Sequence, residues 1–579
     1  MKKIRLSVIN TSVLMLALLA TTACSNNEEN GGTQNGKEID AAKAIEFKVD
    51  LADYNDDQEI DGTRAANTET TIGEQTIALG NNIWARTTIQ RDATAPRPRQ
   101  RLDAATRNIP DDNYTMMVYD ATTHQLKGVI PCQIVLGVIS PSTAKYKVPL
   151  HEGTYDFVLF NSKFTRNGNN LTVSRSDIET ALIARQTFTV TSSMPKKTEL
   201  AFTLRHIGAK LKVKLTGYMI FNGTKAKLET VNSTDVPGTC VYDASTGQWS
   251  AAAGATIANN ITYGNSVAQS GANAGKYAAT CNEETYFMPA TDVSKLKITF
   301  TNGKIYNLDM TGYGITFSPA SQLKLEPNSS YVINVNLMYR YLYLMTDGNT
   351  GLVEETTSGG GTKTPIGVVV SRSNHLIIAL KDAEDPWTGD KLYKWSEGYQ
   401  STKANTHMNL GSQARQAFEG GSACRSGKYE TWDENASTGN VPGGKVKANN
   451  PNFPAFGAAA NFDPGIVYNG TPALTWFLPS HNDWLYAACA LGFFDKSIAL
   501  NLPASESYVR GTFYSALAKV AFTQVGADPL QPSGSYYWTS TEFIGFYAGG
   551  AFYYYNNEGI IASVAKHAKS GRVRAFAQY

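Results

Sequence analysis

At 579 residues the chain exceeds what one hydrophobic core serves, and three or four domains are expected. Its 52 basic and 50 acidic residues leave a formal net charge of +2, which removes the bulk electrostatic case for nucleic acid or an anionic lipid surface as partner. Gly 49, Tyr 30 and Phe 23 point to many short strands and turns, and no Cys-x-x-Cys or Cys/His spacing typical of zinc occurs, so no metal and no cofactor is expected.

The N-terminus is organised as an export signal. Lys2, Lys3 and Arg5 precede a mostly apolar run over residues 6–20, and the small residues Thr21, Thr22 and Ala23 lead to Cys24. A cysteine in that place resembles the bacterial lipobox, although Thr21 stands where the motif usually has Leu. The resemblance implies that residues 1–24 are a lipoprotein signal, that Cys24 is lipidated, and that its acyl chains enter the outer membrane. Cleavage at an Ala-x-Ala-like site, with Cys24 incidental, is the alternative. The apolar run is shorter than the roughly 20 residues a spanning helix needs. Residues 25–44, opening SNNEENGGTQNGK, carry too little apolar surface to pack and read as a flexible tether. Its Asn/Glu-rich character resembles the surface-export signal of Bacteroidales lipoproteins, which implies a cell-surface location.

Between residues 45 and 345 the dominant signal is alternation. GAKLKVKLT at 208–216 sets Ala209, Leu211, Val213 and Leu215 against Lys210, Lys212 and Lys214, the pattern of a half-buried strand. KLKITF and YVINVNLMYRY repeat it, and IEFKVDL, YTMMVYD, YDFVLFN and QTFTVT are further runs parted by Gly, Asn, Pro and Ser. Two antiparallel β-sandwiches, 45–205 and 206–345, account for this spacing. ELAFTLRHIGAKLKVKLTGY, GTYDFVLFNS, ETYFMPA and SSYVINVNL resemble, in order, segments of the Bacteroidales fimbrillin family, the subunits of surface fimbriae.

That resemblance implies other fimbrial subunits as partners, joined by donor-strand exchange. A trypsin-like protease removes the first strand after an arginine, and a strand of another subunit fills the opened edge. IEFKVDL is the candidate removable strand and Arg64, in DGTRAAN, the leading cleavage site. Arg86, Arg91, Arg97, Arg99, Arg101 and Arg107 compete with it. No aromatic residues interleave with that arginine cluster, so it reads as a solvated loop and not a nucleic-acid arm. His206 beside an apolar strand reads as structural. Cys240 and Cys281 could form a disulfide, but sequence assigns no connectivity.

Residues 346–365, TDGNTGLVEETTSGGGTKTP, are expected to be a Gly/Thr-rich linker. Beyond it, LGSQARQAFEG and FYSALAKVAF have helical spacing, and YYWTS, AFYYY, IIASV and GRVRAF are strand-like, so 366–579 is an α+β unit in an otherwise mainly β chain. The opening IGVVVSRSNHLIIALKDAEDPW, then WFLPSHNDW, YYWTSTEF and GRVRAF, resemble the FISUMP and Lcl C-terminal domains, which implies a C-type-lectin-like fold and a glycan or surface protein as ligand. Within WFLPSHNDW, Ser480 reads as a helix N-cap and Asp483 as its acidic capping partner. Asp382, Asp385 and Asp390 do not have EF-hand spacing and read as a solvated loop. Trp387, Trp395, Trp476, Trp484, Trp538 and Tyr553, Tyr554 and Tyr555 are candidates either for a sugar platform or for the core. No Gly-x-Ser-x-Gly, His-Glu-x-x-His or P-loop is present, and the expected function is non-enzymatic. It is that of a fimbrial subunit with a binding head at the fibre tip, the alternative being a free-standing surface lipoprotein that binds polysaccharide.

Overall fold

The structure is a computed structural model. It describes residues 39–579 apart from 55–70, 81, 92–108, 111, 136–137, 142–146, 192, 195–196, 318–322, 386–387, 398–402, 407–425, 440, 442, 502–508, 533–534, 543–547, 556 and 568–570. The described residues are mainly β.

Strand β1 (Ile45–Leu51) follows its alternation: Ile45 is buried and Phe47, Val49 and Leu51 pack inward, while Glu46, Lys48 and Asp50 face out. A hairpin of β2 (Thr71–Gly80) and β3 (Ile83–Arg91) comes next. Then come β4 (Asp112–Asp120), β5 (Leu126–Val135), β6 (Val138–Pro141), β7 (Gly153–Asn161), β8 (Leu182–Val190) and β9 (Thr198–His206). The first sheet runs β1-β9-β8-β7-β4-β5-β6 from edge to edge. In the second, β10 (Ala209–Gly217) lies parallel to β11 (Ser330–Tyr339), which is antiparallel to β3. Ala209, Leu211, Val213 and Leu215 are fully buried, as the period-2 pattern requires.

The expected contiguous sandwich of 45–205 is not what forms. Strands β2 and β3 lie inside that span but complete the second sheet. The hairpin of Phe164–Asn167 and Asn170–Ser174 pairs in turn with Val236–Asp243 from the other half. The halves therefore exchange strands, a non-local outcome that alternation within one segment cannot specify.

Only Arg340 and Tyr341 separate β11 from β12 (Leu342–Met345), the first long strand of the C-terminal unit. Its main sheet runs Thr350–Leu352, β12, β13 (Pro365–Ser371), β14 (Leu376–Ala379), β17 (Phe576–Gln578) and β15 (Thr475–Phe477). A second sheet contains β16 (Tyr536–Glu542) and the long hairpin of Ala548–Tyr555 and Glu558–Ala565. Helices α1 (Gly427–Trp432), α2 (His481–Gly492) and α3 (Ser515–Thr523) pack on these sheets.

The connection at Tyr341 is locked. Its single hydroxyl proton is shared between the carbonyls of Leu491 (2.6 Å) and Leu517 (3.1 Å), and Tyr343 donates to Ala521 (2.6 Å). Leu491 and Ala521 lie in the last turns of α2 and α3, where carbonyls lack intrahelical partners. Phe493 packs against Tyr306 and Tyr339, and Tyr277 against Tyr514, so aromatic surface from both units is buried at the joint.

Nor is 346–365 a loose linker. Gly359 and Gly361 donate backbone N–H bonds to the Thr356 carbonyl at 3.0 and 2.8 Å, and Lys363 pairs with Glu355 at 3.1 Å. A Cβ on Gly361 would sit 2.2 Å from the Glu355 carbonyl oxygen, and one on Gly359 1.9 Å from that of Val353. The glycines are there because the backbone passes too close for any side chain, a different use of the residue from flexibility. Gly361→Ala is therefore expected to destabilise the C-terminal unit by about 2 kcal/mol or more. Gly439→Ala, where a Cβ meets nothing within 4 Å, should leave the thermal midpoint nearly unchanged.

Candidate functional site

Two regions concentrate features that go beyond holding the fold. The first is the β1 edge. β1 lies parallel to β9 in seven register positions, from Ile45↔Thr198 to Leu51↔Leu204. On its other side β9 pairs with β8 at only Leu182↔His206 and Ile183↔Arg205. Most of the ladder available to β9 therefore comes from β1, which among the described residues has a neighbour on one side only. Phe47 anchors it between Phe157 and Phe202, both ring centroids 6.2 Å away. His206, at the end of β9, stacks on Tyr54 with centroids 4.4 Å apart. Burial lowers its pKa, which keeps the imidazole neutral at physiological pH.

The second region is built around WFLPSHNDW. Ser480 is the N-cap of α2: its Oγ accepts from the Asp483 N–H at 3.2 Å, and Asp483 Oδ2 accepts from the Ser480 N–H at 2.8 Å. The same Oδ2 accepts from Gly427 N–H at 2.9 Å, joining α1 to α2. Gly427 is confined to glycine because a Cβ would lie 2.2 Å from the Leu478 carbonyl oxygen. Burial nonetheless raises the Asp483 pKa, since desolvation outweighs those hydrogen bonds. His481 is enclosed, and burial alone lowers it to about 4.

The opposite face of α1 borders a cleft of about 550 Å³ lined by Ser426, Lys428, Tyr429, Trp432, Asp433, Glu434 and Val446. The Trp432 indole N–H is fixed on the Trp476 carbonyl at 2.8 Å. Beneath the cleft lies an ionic core. The Glu542 carboxylate contacts Lys566 and accepts the backbone N–H groups of Ala404 and Asn405, while Glu430 accepts the Ser540 hydroxyl. Lys447 donates to Ser437 Oγ at 2.8 Å and faces the rings of Phe453 and Phe456. Burial pushes Glu430 up and Lys447 down, the signature of charges held out of water. Two partly buried aromatics beside carboxylates and a lysine can stack on an apolar face and bond hydroxyl groups at its rim.

Several candidates from sequence lie elsewhere. Trp395, Trp484 and Trp538 are fully buried, Trp476 is 8% exposed, and Tyr554 is buried as well, so these are core residues and not a platform. Trp432 and Tyr429, which do line a cleft, had no signal in the sequence beyond being aromatic. Asp382 is buried and paired with Arg574 (2.7 Å) and Arg572 (3.1 Å), which contradicts a solvated loop at that position. Cys240 and Cys281 are each free and buried in different core clusters, so the disulfide between them is absent. Among the described residues no group of three or more His, Cys, Asp or Glu could hold a metal ion, and no helix is long and apolar enough to cross a membrane. Cys24, Arg64 and Trp387 lie outside the described residues.

Residues 143–352 match the family described as fimbrillin-like. Among solved structures, a putative cell adhesion protein from Bacteroides ovatus is similar at 14% identity over 51% of this chain and 92% of that chain, with a TM-score of 0.27. A fimbrial protein from the same species is similar at 10% identity over 93% of this chain and 100% of that one, TM-score 0.19. The fimbrial anchor protein Mfa2 from Porphyromonas gingivalis is similar at 11% identity over 33% and 69%, TM-score 0.18. Overlays at such TM-scores carry no functional weight. Among curated proteins none matches.

The buried imidazole gives the C-terminal unit a pH dependence with a definite sign. The unfolded chain takes up a proton near pH 6.5, whereas folded His481 stays neutral down to about 4. Its contribution is complete above pH 6.5 and is lost as pH falls through the window from 6.5 to 4. Between pH 7 and 4.5 the wild-type chain is expected to lose about 2 kcal/mol more stability than His481→Asn, read from denaturant midpoints at each pH.

Proposed function

We propose that this chain is a non-enzymatic cell-surface fimbrial subunit. It accepts a strand from a neighbouring subunit after its own β1 is cut away, and it presents the C-terminal unit, a C-type-lectin-like domain, as a binding head at the fibre tip. The observation that carries this reading is the placement of β1. It is an edge strand held on one side, and the chain that follows it, residues 55–70, leads to β2 in the other sheet. A cut after Arg64 would therefore free β1 without disturbing β2. It would also sever everything N-terminal to it, including the tether and the lipid on Cys24. The vacated edge of β9 would offer a row of backbone groups to an incoming strand. The fimbrillin-like match of residues 143–352 supports the same class of protein.

The reading of the C-terminal unit as a head is supported by how its last strand is held. Strand β17 lies between β14 and β15, and Phe576 and Ala577 are fully buried, so residues 576–578 are built into the sheet of the C-terminal unit. The ligand, a glycan or a surface protein, would meet the Tyr429/Trp432 cleft. The test is limited digestion with a trypsin-like protease. Loss of residues up to Arg64 by mass spectrometry, followed by an SDS-resistant ladder on unheated gels, is expected, and Arg64→Ala should suppress both. A chain that stays uncut and monomeric would instead support a free-standing surface lipoprotein.

A further inference from the structure

Where β1 ends, the chain makes three further contacts with residues that would remain if β1 left. The Ala52 N–H donates to the Leu204 carbonyl at 2.9 Å, extending the ladder by one bond. The Asp53 carbonyl accepts the Asn328 side-chain N–H at 2.8 Å. The Tyr54 ring then lies flat on His206, 4.4 Å between centroids and 16° between planes, with Lys210 Nζ 5.1 Å from its centre and Tyr286 tilted beside it at 6.3 Å. Four residues thus form a receptacle: His206 from β9, Lys210 from β10, and Tyr286 and Asn328 from the second half of the molecule. Asn328 is 5% exposed, and its Oδ1 accepts the His206 N–H at 3.0 Å, so its amide faces both strands at once. The Tyr54 hydroxyl, by contrast, is buried with no hydrogen-bond partner among the described residues. The receptacle therefore engages the ring face and makes no use of the phenol.

We infer that this receptacle is a seat for an aromatic side chain on whichever strand lies along β9, and that its occupant in a fibre is an extended segment of a neighbouring subunit with an aromatic residue three positions beyond the residue that pairs with Leu204. The inference rests on the strand-acceptance reading above. The ladder is made of backbone bonds that any sequence can form, so it sets no register by itself. An aromatic seat at its end, together with an amide waiting for the carbonyl one residue earlier, fixes where the strand must stop. Because the seat spans residues of both sandwiches, its occupant also ties them together.

The experiment uses the full chain nicked between Arg64 and Ala65. Fluorescent peptides of residues 41–54, carrying Tyr54, Tyr54→Phe or Tyr54→Ala, compete for the β9 edge against a scrambled control. The native and Phe peptides are expected to bind alike, the Phe peptide as tightly or more so, and the Ala peptide about tenfold or more weakly. Equal binding of all three would overturn the seat while leaving strand acceptance intact. Failure of the native peptide to bind above the scrambled control would remove strand acceptance and the seat with it.

Discussion

The pairing of β1 with β9 is the interaction on which the N-terminal half depends. A buried strand needs its N–H and C=O groups bonded, and β9 obtains only two register positions from β8 against seven from β1. Its side chains Leu200, Phe202 and Leu204 are in the core, so hydrophobic burial keeps β9 in place while the backbone is satisfied almost wholly from one direction. A strand so placed tolerates a substitute for β1 far better than an empty slot. Vacating the edge would expose a run of unpaired groups beside an apolar groove, the condition under which strand addition from another chain is most favourable.

The opposite constraint operates at the joint with the C-terminal unit. Two residues connect β11 to β12, and the hydroxyls of Tyr341 and Tyr343 satisfy carbonyls near the ends of α2 and α3. A free hinge would leave those carbonyls and the Tyr306, Tyr339 and Phe493 rings in water. The C-terminal unit is consequently seated on the second sheet, and the ordered turn at Thr356–Lys363 adds to it where a flexible spacer had been expected. Inside that unit the buried pairs Glu542–Lys566 and Asp382–Arg574 are shielded from solvent. The partly exposed face of α1 borders the cleft lined by Tyr429 and Trp432.

How much of this was readable from residues alone follows the range of the interaction involved. β1 and β10 were legible because alternation is local and each buries one face. Ser480 and Asp483 were legible as a capping pair for the same reason, three residues apart at the head of a helix. The strand exchange of β2 and β3 was not, since a period-2 pattern says that a face is buried but not which sheet buries it. The Gly359–Gly361 run misled because one composition serves both a flexible spacer and a turn too tight for a Cβ. The tryptophans were ambiguous in the same way: Trp484 in the core and Trp432 in a cleft wall differ only in their neighbours. Tyr54 carries no local signal, because its partner His206 is more than 150 residues away in sequence.

The central claim, that β9 relies on β1 and passes to a replacement, is tested most directly by amide hydrogen exchange read at Leu200, Phe202 and Leu204, the alternate β9 residues whose backbone groups face β1. In the intact chain these amides should be among the protected ones of the first sheet. After cutting at Arg64 and release of the N-terminal segment they should lose protection, while β7 and β8 keep theirs, and a bound strand should restore it. Protection of Leu200, Phe202 and Leu204 that is unchanged once the segment has gone would contradict the account.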